Sequence, residues 1–459
     1  MSTNCYHFFE EERKNDDFCL KSAMTSQIVD KIAFLCYNLP CVVMNFQSLS
    51  EGEPMGTSKK QNKWVKPRHR RATRIIDFFF RPYALRRYGI TVDEFCGDKT
   101  RPYLILMNHQ TAYDQFFLGI AFGGEAVYYV ASEDIFSLGL ASKIIKYLVN
   151  PIPIKKQSAD ARAVINCIRV AKEGGNIAMA PEGNRTYSGR TGYFNPAVAP
   201  LARKLGLPIA FFRIEGGYGV HPRWADDVRR GKMHGYVSRV VEKEEYSALS
   251  DEELVALIKA ELYVDEAKVD GEYISKNPAE RLERVIYVCP KCGFSSFCSE
   301  GDRISCTSCG LTARYTSTKE LVFDGADIDF RFVADWYDYQ ERFVNLTDTV
   351  SLTENPVFYD SAAISEVIPY KRKRRLEGDV KILLFGNRVE ISGKKTNLEI
   401  SFSEASAFSV LGKNKLNVYF KDKVYQIKGD KGFNALKYLN FYHRFTNIIG
   451  GEGCEFLGL

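Results

Sequence analysis

The chain of 459 residues has no apolar run of the ~18 residues that a membrane-crossing helix requires. Its longest candidate, residues 32–46, is interrupted by Asn38 and Pro40. The first residues, MSTNCYHFFEEERKNDD, lack the basic-then-apolar pattern of a secretory leader. Twelve cysteines are present, but they lack the rhythm of a disulfide scaffold, which points to a reducing, cytoplasmic setting. Charge of one sign is not in large excess: the net +6 names no partner by itself. A glycine-rich turn at residues 216–219 lacks the lysine of a phosphate-binding P-loop and reads as a loop.

What is present is most telling at residues 108–114, NHQTAYD. An apolar run, residues 103–107, leads into it. His109 and Asp114 are five apart, so one continuous helix would put them on different faces. The spacing instead predicts His109 in the turn after a strand and Asp114 in the first turn of the next helix. The carboxylate can then fold back onto one ring nitrogen, fix the tautomer and leave the other nitrogen to take a proton from a hydroxyl. No Ser or Cys lies in the stretch to act as nucleophile. A second apolar strand, residues 176–181, runs into Glu182-Gly183-Asn184-Arg185-Thr186. Gly183 permits a tight turn, and Arg185 can hold a phosphate bidentately. Both motifs sit where ligands collect in open α/β sheets, beyond the carboxyl ends of strands.

NHxxxxD followed by EGxR resembles the glycerolipid acyltransferases of the 1-acylglycerol-3-phosphate acyltransferase type, over roughly residues 65–265. The family's histidine and aspartate fall on His109 and Asp114. Its EGTRS block falls on Glu182 to Thr186, with Asn184 in place of the common threonine. Its intervening block corresponds to residues 152–156, where Lys155 and Lys156 stand in place of arginine, and its later proline block to residues 207–209. The resemblance implies an acyl donor (acyl-CoA or acyl-carrier protein), a lysophosphatidate acceptor, an acceptor site that includes Glu182, and no catalytic cofactor.

Strands are expected at 102–107, 126–131, 176–181, 208–214 and 235–241, and helices at 113–121, 134–149, 158–174 and 195–206. This alternation predicts an α/β layer with a mixed, mostly parallel sheet flanked by helices. The apolar face of 134–149 is expected to be ordinary core, with the wall of an acyl-chain groove as the alternative. Cys289, Cys292, Cys306 and Cys309 have the C-x2-C-x13-C-x2-C spacing of two knuckles holding one tetrahedral zinc, and resemble a zinc ribbon. Few aromatics or cations interleave, which favours a structural staple over a nucleic-acid reader. Residues 379–428 alternate as six short strands, and a helix near 431–448 closes them. This resembles a pleckstrin-homology-type barrel, a likeness of fold alone. The expected domains are an N-terminal extension at 1–64, an acyltransferase domain at 65–275, the ribbon at 285–315, a linker with a helical segment at 316–377 and the barrel at 378–459.

Residues 1–54 fit the rest poorly and are expected to be an upstream extension, dispensable for activity from Met55 on. Eight cations then arrive between Lys59 and Arg74 without an acidic residue. They read as a patch for an anionic membrane surface, or as a solvated tail. Trp64 and the run 78–80 of phenylalanines suit an interfacial segment, or for the Phe run a buried helix face. The basic run 371–375 reads as a lipid contact or a linker. The expected activity is phosphatidate formation by a peripheral protein on the inner face of a membrane. The rivals are another acceptor, such as glycerol 3-phosphate or another lysolipid, and a catalytically silent adaptor.

Overall fold

A computed structural model describes residues 63–132, 135–136, 140–154, 160–325, 327–368 and 373–450. The 1–54 extension, Lys59, Lys60, Lys155, Lys156, Lys371 and Arg372 lie outside these described residues. Lys59–Leu459 form one compact unit.

The first layer alternates as its sequence pattern requires. Its elements are α1 (Pro67–Tyr88), β1 (Ile90–Val92), β2 (Leu104–Met107), α2 (Asp114–Ala121), β3 (Val127–Ser132), α3 (Leu140–Leu148), β4 (Ile152–Ile154), α4 (Ala161–Lys172), β5 (Asn176–Met179), α5 (Val198–Leu205), β6 (Ile209–Glu215), α6 (Gly217–Val220), β7 (Met233–Val241), α7 (Lys243–Ser247) and α8 (Asp251–Leu262). The strand order is β1-β7-β6-β2-β5-β3-β4. Every neighbouring pair is parallel except β6 and β7. β2 lies between β5 and β6, and its residues are buried on both faces, as a strand covered by helices on both sides must be. Leu104, Leu106, Ile177, Ile209 and Phe211 form one core with Val170, Val198, Leu254 and Ile258 of the helices. β1 and β4, each three residues long, were too short to stand out as apolar runs.

Two expectations about apolar faces change. Phe80 is buried, but Phe78 is 74% exposed and Phe79 is exposed beside it, so the phenylalanine run divides between core and surface. The face of α3 is not ordinary core: Leu140, Ile144 and Tyr147 are exposed, and Ala141 and Ser142 are its buried residues. Periodicity shows that a face is apolar, not what covers it. Trp64 turns inward, its Nε1 donating to the Asn150 carbonyl at 3.0 Å.

The cysteine segment forms a two-stranded knuckle, β8 (Val288–Cys289) with β9 (Gly293–Phe294). An antiparallel sheet follows: β10 (Phe297–Glu300), β11 (Arg303–Cys306), β12 (Thr312–Tyr315) and β13 (Leu321–Phe323). The stretch expected as linker therefore contains the last strand of this sheet, then α9 (Val333–Leu346) and β14 (Phe358–Val367). The C-terminal sheet continues with β15 (Arg374–Leu384), β16 (Arg388–Ser392), β17 (Asn397–Ser401), β18 (Ala405–Leu411), β19 (Lys415–Phe420) and β20 (Lys423–Gly429), and ends in α10 (Leu436–Gly450). Its order is β17-β16-β15-β14-β20-β19-β18. The two edge strands, β17 and β18, are joined by residues 402–404 alone, which forces the sheet to curl upon itself. α10 packs into the curl, with Tyr442 stacked on Phe408 at 4.7 Å and Phe445 against Phe402.

The cysteine segment, α9 and the curled sheet share one core that extends to Tyr187, Tyr218 and Trp224 of the first layer. Phe294 of the knuckle contacts Phe343, Phe358 and Phe441, drawn from α9, β14 and α10. Across the same seam Arg190 reaches Asp335 and Asp338 of α9.

Candidate active site

β2 delivers the chain to Asn108, whose side chain pairs with β6 as a strand would: Oδ1 accepts from the Ile214 N–H and Nδ2 donates to its carbonyl, both at 2.8 Å. That pins the start of the turn. Asp114 is the first residue of α2, where a carboxylate meets the positive end of the helix dipole. It is fully buried and accepts from His109 Nδ1 at 2.8 Å, from the Gln110 N–H at 2.8 Å, and from the N–H and Oγ1 of Thr111 at 2.9 and 2.5 Å. With its carboxylate surrounded by donors, Asp114 holds the turn and the imidazole together. The Nδ1–H is thereby assigned to Asp114. The His109 side chain is 28% exposed, and its Nε2 has no hydrogen-bond partner among the described residues.

The second motif enters the site from β5. Glu182 is buried and bridges two loops, one oxygen accepting from the His109 N–H at 2.9 Å and the other from the Gly192 N–H at 3.1 Å. Burial, with some help from the charge of Asp114, pushes its carboxyl up to about 7 against the pull of those two N–H donors. Gly183 has φ +66° and its N–H closes a turn onto the Ala180 carbonyl. Asn184 is half-buried on the same loop. Thr186 faces its own loop: Oγ1 donates to the Arg190 carbonyl and accepts from the Gly189 N–H, while its N–H donates to the His109 carbonyl at 3.1 Å.

Arg185 is buried, with Nε donating to the Gln110 carbonyl at 3.2 Å and a terminal nitrogen donating to the His221 carbonyl. These contacts make it a brace between the histidine turn and residue 221. The structure therefore brings His109, Asp114, Glu182, Arg185 and Thr186 together. Gln110 and Thr111, which orient Asp114, were not singled out from the sequence. The signal was available, because Thr111 and Asp114 have the S/T-x-x-D/E spacing of a helix start.

The four cysteines meet at the second candidate site. Their sulfurs all lie within 4.8 Å of one another, with Cys289–Cys309 and Cys292–Cys306 at 3.5 Å. A tetrahedral zinc with Zn–S bonds of about 2.3 Å needs sulfurs about 3.8 Å apart, so the set fits that ion. Gly293 and Gly310, one residue past each pair, take φ of +78° and +72°, the left-handed conformation that bends each knuckle back.

Residues 91–214 match the acyltransferase family model. The chain is 24% identical over 171 residues to a chloroplastic 1-acyl-sn-glycerol-3-phosphate acyltransferase of Brassica napus, across 36% of this chain and 44% of that protein. It is 22% identical over 154 residues to a chloroplastic 1-acyl-sn-glycerol-3-phosphate acyltransferase of Arabidopsis thaliana, across 33% and 41% of the two chains. The chain thus spans less than half the length of these curated relatives. Among solved structures, the 1-acyl-sn-glycerophosphate acyltransferase PlsC of Thermotoga maritima is similar at 22% identity with a TM-score of 0.34, covering 44% of this chain and 76% of that one.

Proposed function

We propose that the protein transfers a fatty acyl group from acyl-CoA or acyl-carrier protein to the free hydroxyl of a lysophosphatidate, giving phosphatidate. The observation that carries this reading is the His109–Asp114 pair at the end of β2, with a buried carboxylate on Nδ1 and Nε2 left for a substrate. In the reaction the acceptor oxygen attacks the thioester carbonyl carbon as His109 Nε2 takes the hydroxyl proton. The C–S bond then breaks, and the departing thiolate takes a proton from the imidazolium. Asp114 holds the ring in the required tautomer and offsets its positive charge. Arg185 braces the site from below, and Lys155 and Lys156 remain candidates for the acceptor phosphate. We further infer one structural zinc on Cys289, Cys292, Cys306 and Cys309, with no metal in the chemistry.

The test is to incubate the full chain with a mixed pool of donors and acceptors and identify the products by mass spectrometry. Phosphatidate from lysophosphatidate is the expected product. Acylation of glycerol 3-phosphate or of another lysolipid instead would replace the acceptor, and no acyl transfer at all would favour the silent adaptor.

No helix among the described residues is long and apolar enough to cross a membrane. We propose docking from the inner, cytoplasmic face through α1 and α3. Supporting this, Ile75, Phe78 and Phe79 of α1 and Leu140, Ile144 and Tyr147 of α3 are exposed. The two helices touch, with the Arg68 guanidinium 4.1 Å over the Tyr147 ring. Arg70, Arg71 and Arg74 are exposed on α1 as well. At ~1 kcal/mol per cation, replacing these three by glutamine should weaken binding to anionic vesicles by about a hundredfold at low salt, and by less at high salt. Phe78→Ser should weaken it at both. Unchanged vesicle sedimentation in both variants would move the docking surface elsewhere.

A further inference from the structure

The loop that carries Glu182, Asn184 and Arg185 does not end at the active site. It runs on to Gly192, and its far end is held by parts of the chain outside the acyltransferase layer. Arg190 is half-buried there, and each nitrogen of its guanidinium meets a different carboxylate. Nε lies 3.4 Å from Asp265 Oδ2, one terminal nitrogen lies 3.1 Å from Asp335 Oδ1, and the other donates to Asp338. Asp265 belongs to the segment after α8. Asp335 and Asp338 are on α9, which the Trp336 indole ties to the cysteine knuckle. A planar fork of fixed donors is the side chain suited to three carboxylates at once.

The near end of the same loop holds the base. Glu182 accepts from the His109 N–H and the Thr186 N–H donates to the His109 carbonyl, so the loop grips the peptide units on both sides of His109. Both grips are tied to the backbone around Arg190. Thr186 Oγ1 donates to the Arg190 carbonyl at 2.6 Å, and the second Glu182 oxygen accepts from the Gly192 N–H. The residue before Arg190 has a support of its own. The Gly189 carbonyl accepts from the Glu266 N–H at 3.0 Å, and Lys319, in the turn between β12 and β13, lies 3.6 Å from Glu266 Oε2 and donates to the Val269 carbonyl at 2.7 Å. The seam does not tolerate loss of the arginine. Burial raises the Asp338 carboxyl above its ordinary value, and Arg190 opposes this while Asp335 adds to it. Glu341, further along α9, is pushed up to about 7 by burial, with the charge of Asp338 adding. Without Arg190, Asp265 on one side would face Asp335 and Asp338 on the other as like charges, which repel.

We propose that Arg190 is a positioning residue for the reaction: through it α9 holds residues 182–192 in register with His109, so that α9 and the ribbon sheet are working parts of the active site. The effect on turnover rests on the acyl-transfer reading; the hold on the loop does not.

The test is steady-state kinetics on the full chain and its Arg190→Ala, Asp338→Ala and doubly substituted variants, with melting curves and hydrogen exchange over residues 182–192. Arg190→Ala should lower kcat about tenfold, because a displacement of the base by less than 1 Å is enough for that. KM for donor and acceptor should stay within about twofold of wild type, since the base acts as the proton moves and not in ground-state binding. Exchange in the loop should quicken. Asp338→Ala should lower kcat by less, and the double variant should be no slower than Arg190→Ala, because both changes remove the same contact. The backbone bridge between Arg190 and Asp265 stays in every variant and favours folding. If Arg190→Ala does not fold, Arg190→Lys carries the same test: one ammonium cannot meet three carboxylates, so kcat should fall about threefold with both KM values again unchanged. A lower melting temperature with unchanged kcat would make Arg190 a structural contact only, and losses that multiply in the double variant would show that it does not act through α9. Either result overturns the proposal. If wild type shows no acyl transfer, the function proposed above fails, while exchange over residues 182–192 still decides whether Arg190 holds the loop.

Discussion

His109→Ala is expected to lower acyl turnover by ~10²–10⁴-fold, the usual contribution of a positioned base. The fold should survive, because the imidazole is partly exposed and its ring makes one hydrogen bond among the described residues, to Asp114. An alcohol is a poor nucleophile near neutral pH, so the proton must leave as the new C–O bond forms. Asp114→Asn should also lower turnover, but for two reasons. An amide spoils the tautomer of His109, and it sets an NH₂ among the Gln110 N–H, the Thr111 N–H and Thr111 Oγ1, all of which donate to the present carboxylate. That variant should lose melting temperature as well as rate, which makes His109→Ala the cleaner measurement. Steady-state kinetics on both variants, with melting curves, separate the two effects. Near-wild-type turnover in His109→Ala would remove this histidine from the chemistry. Trapping of an acyl-enzyme, or ping-pong kinetics, would replace direct transfer by a covalent route.

The α/β layer was legible because its strands are short apolar runs separated by amphipathic helices, and both periods survive in the sequence. The histidine turn was legible because a fixed spacing, with a strand before and a helix after, leaves few geometries. What was hidden is long-range. Nothing local marks β14, whose burial alternates irregularly along Phe358–Val367, as the strand joining the two halves of a curled sheet. The turn motif shows Arg185 as a cation able to hold phosphate, but not that the carbonyls of Gln110 and His221, both distant in sequence, draw it inward. The cysteine quartet was plain from spacing, but not its place inside a core shared with the C-terminal sheet.

That shared core raises the stakes of removing the metal. Freshly purified protein is expected to carry one zinc per chain. Stripping it with a chelator, or replacing Cys289 by serine, should destabilise much more than a peripheral ribbon. Cys289 and Cys306 are buried in the cluster that also holds Trp336, Ile364 and Tyr438. The Trp336 indole donates to the Val288 carbonyl at 2.8 Å, immediately before Cys289. Gln340 of α9 accepts from the Tyr287 and Val288 N–H groups, so α9 is fastened to the same strand. Zinc binding in small thiolate sites is coupled to folding by ~10 kcal/mol or more. Even the part transmitted to this core, a few kcal/mol, should lower the melting temperature on the order of 10 °C. Trp336 fluorescence should shift to the red as α9 loosens from the knuckle strand. The β2–β5–β6 centre of the first layer packs in a separate cluster and should melt later than the cysteine segment, α9 and the curled sheet. Elemental analysis, tryptophan emission and hydrogen exchange on the stripped protein test this order directly. A stripped protein that melts at the same temperature as the freshly purified one would show that packing alone holds the four cysteines together.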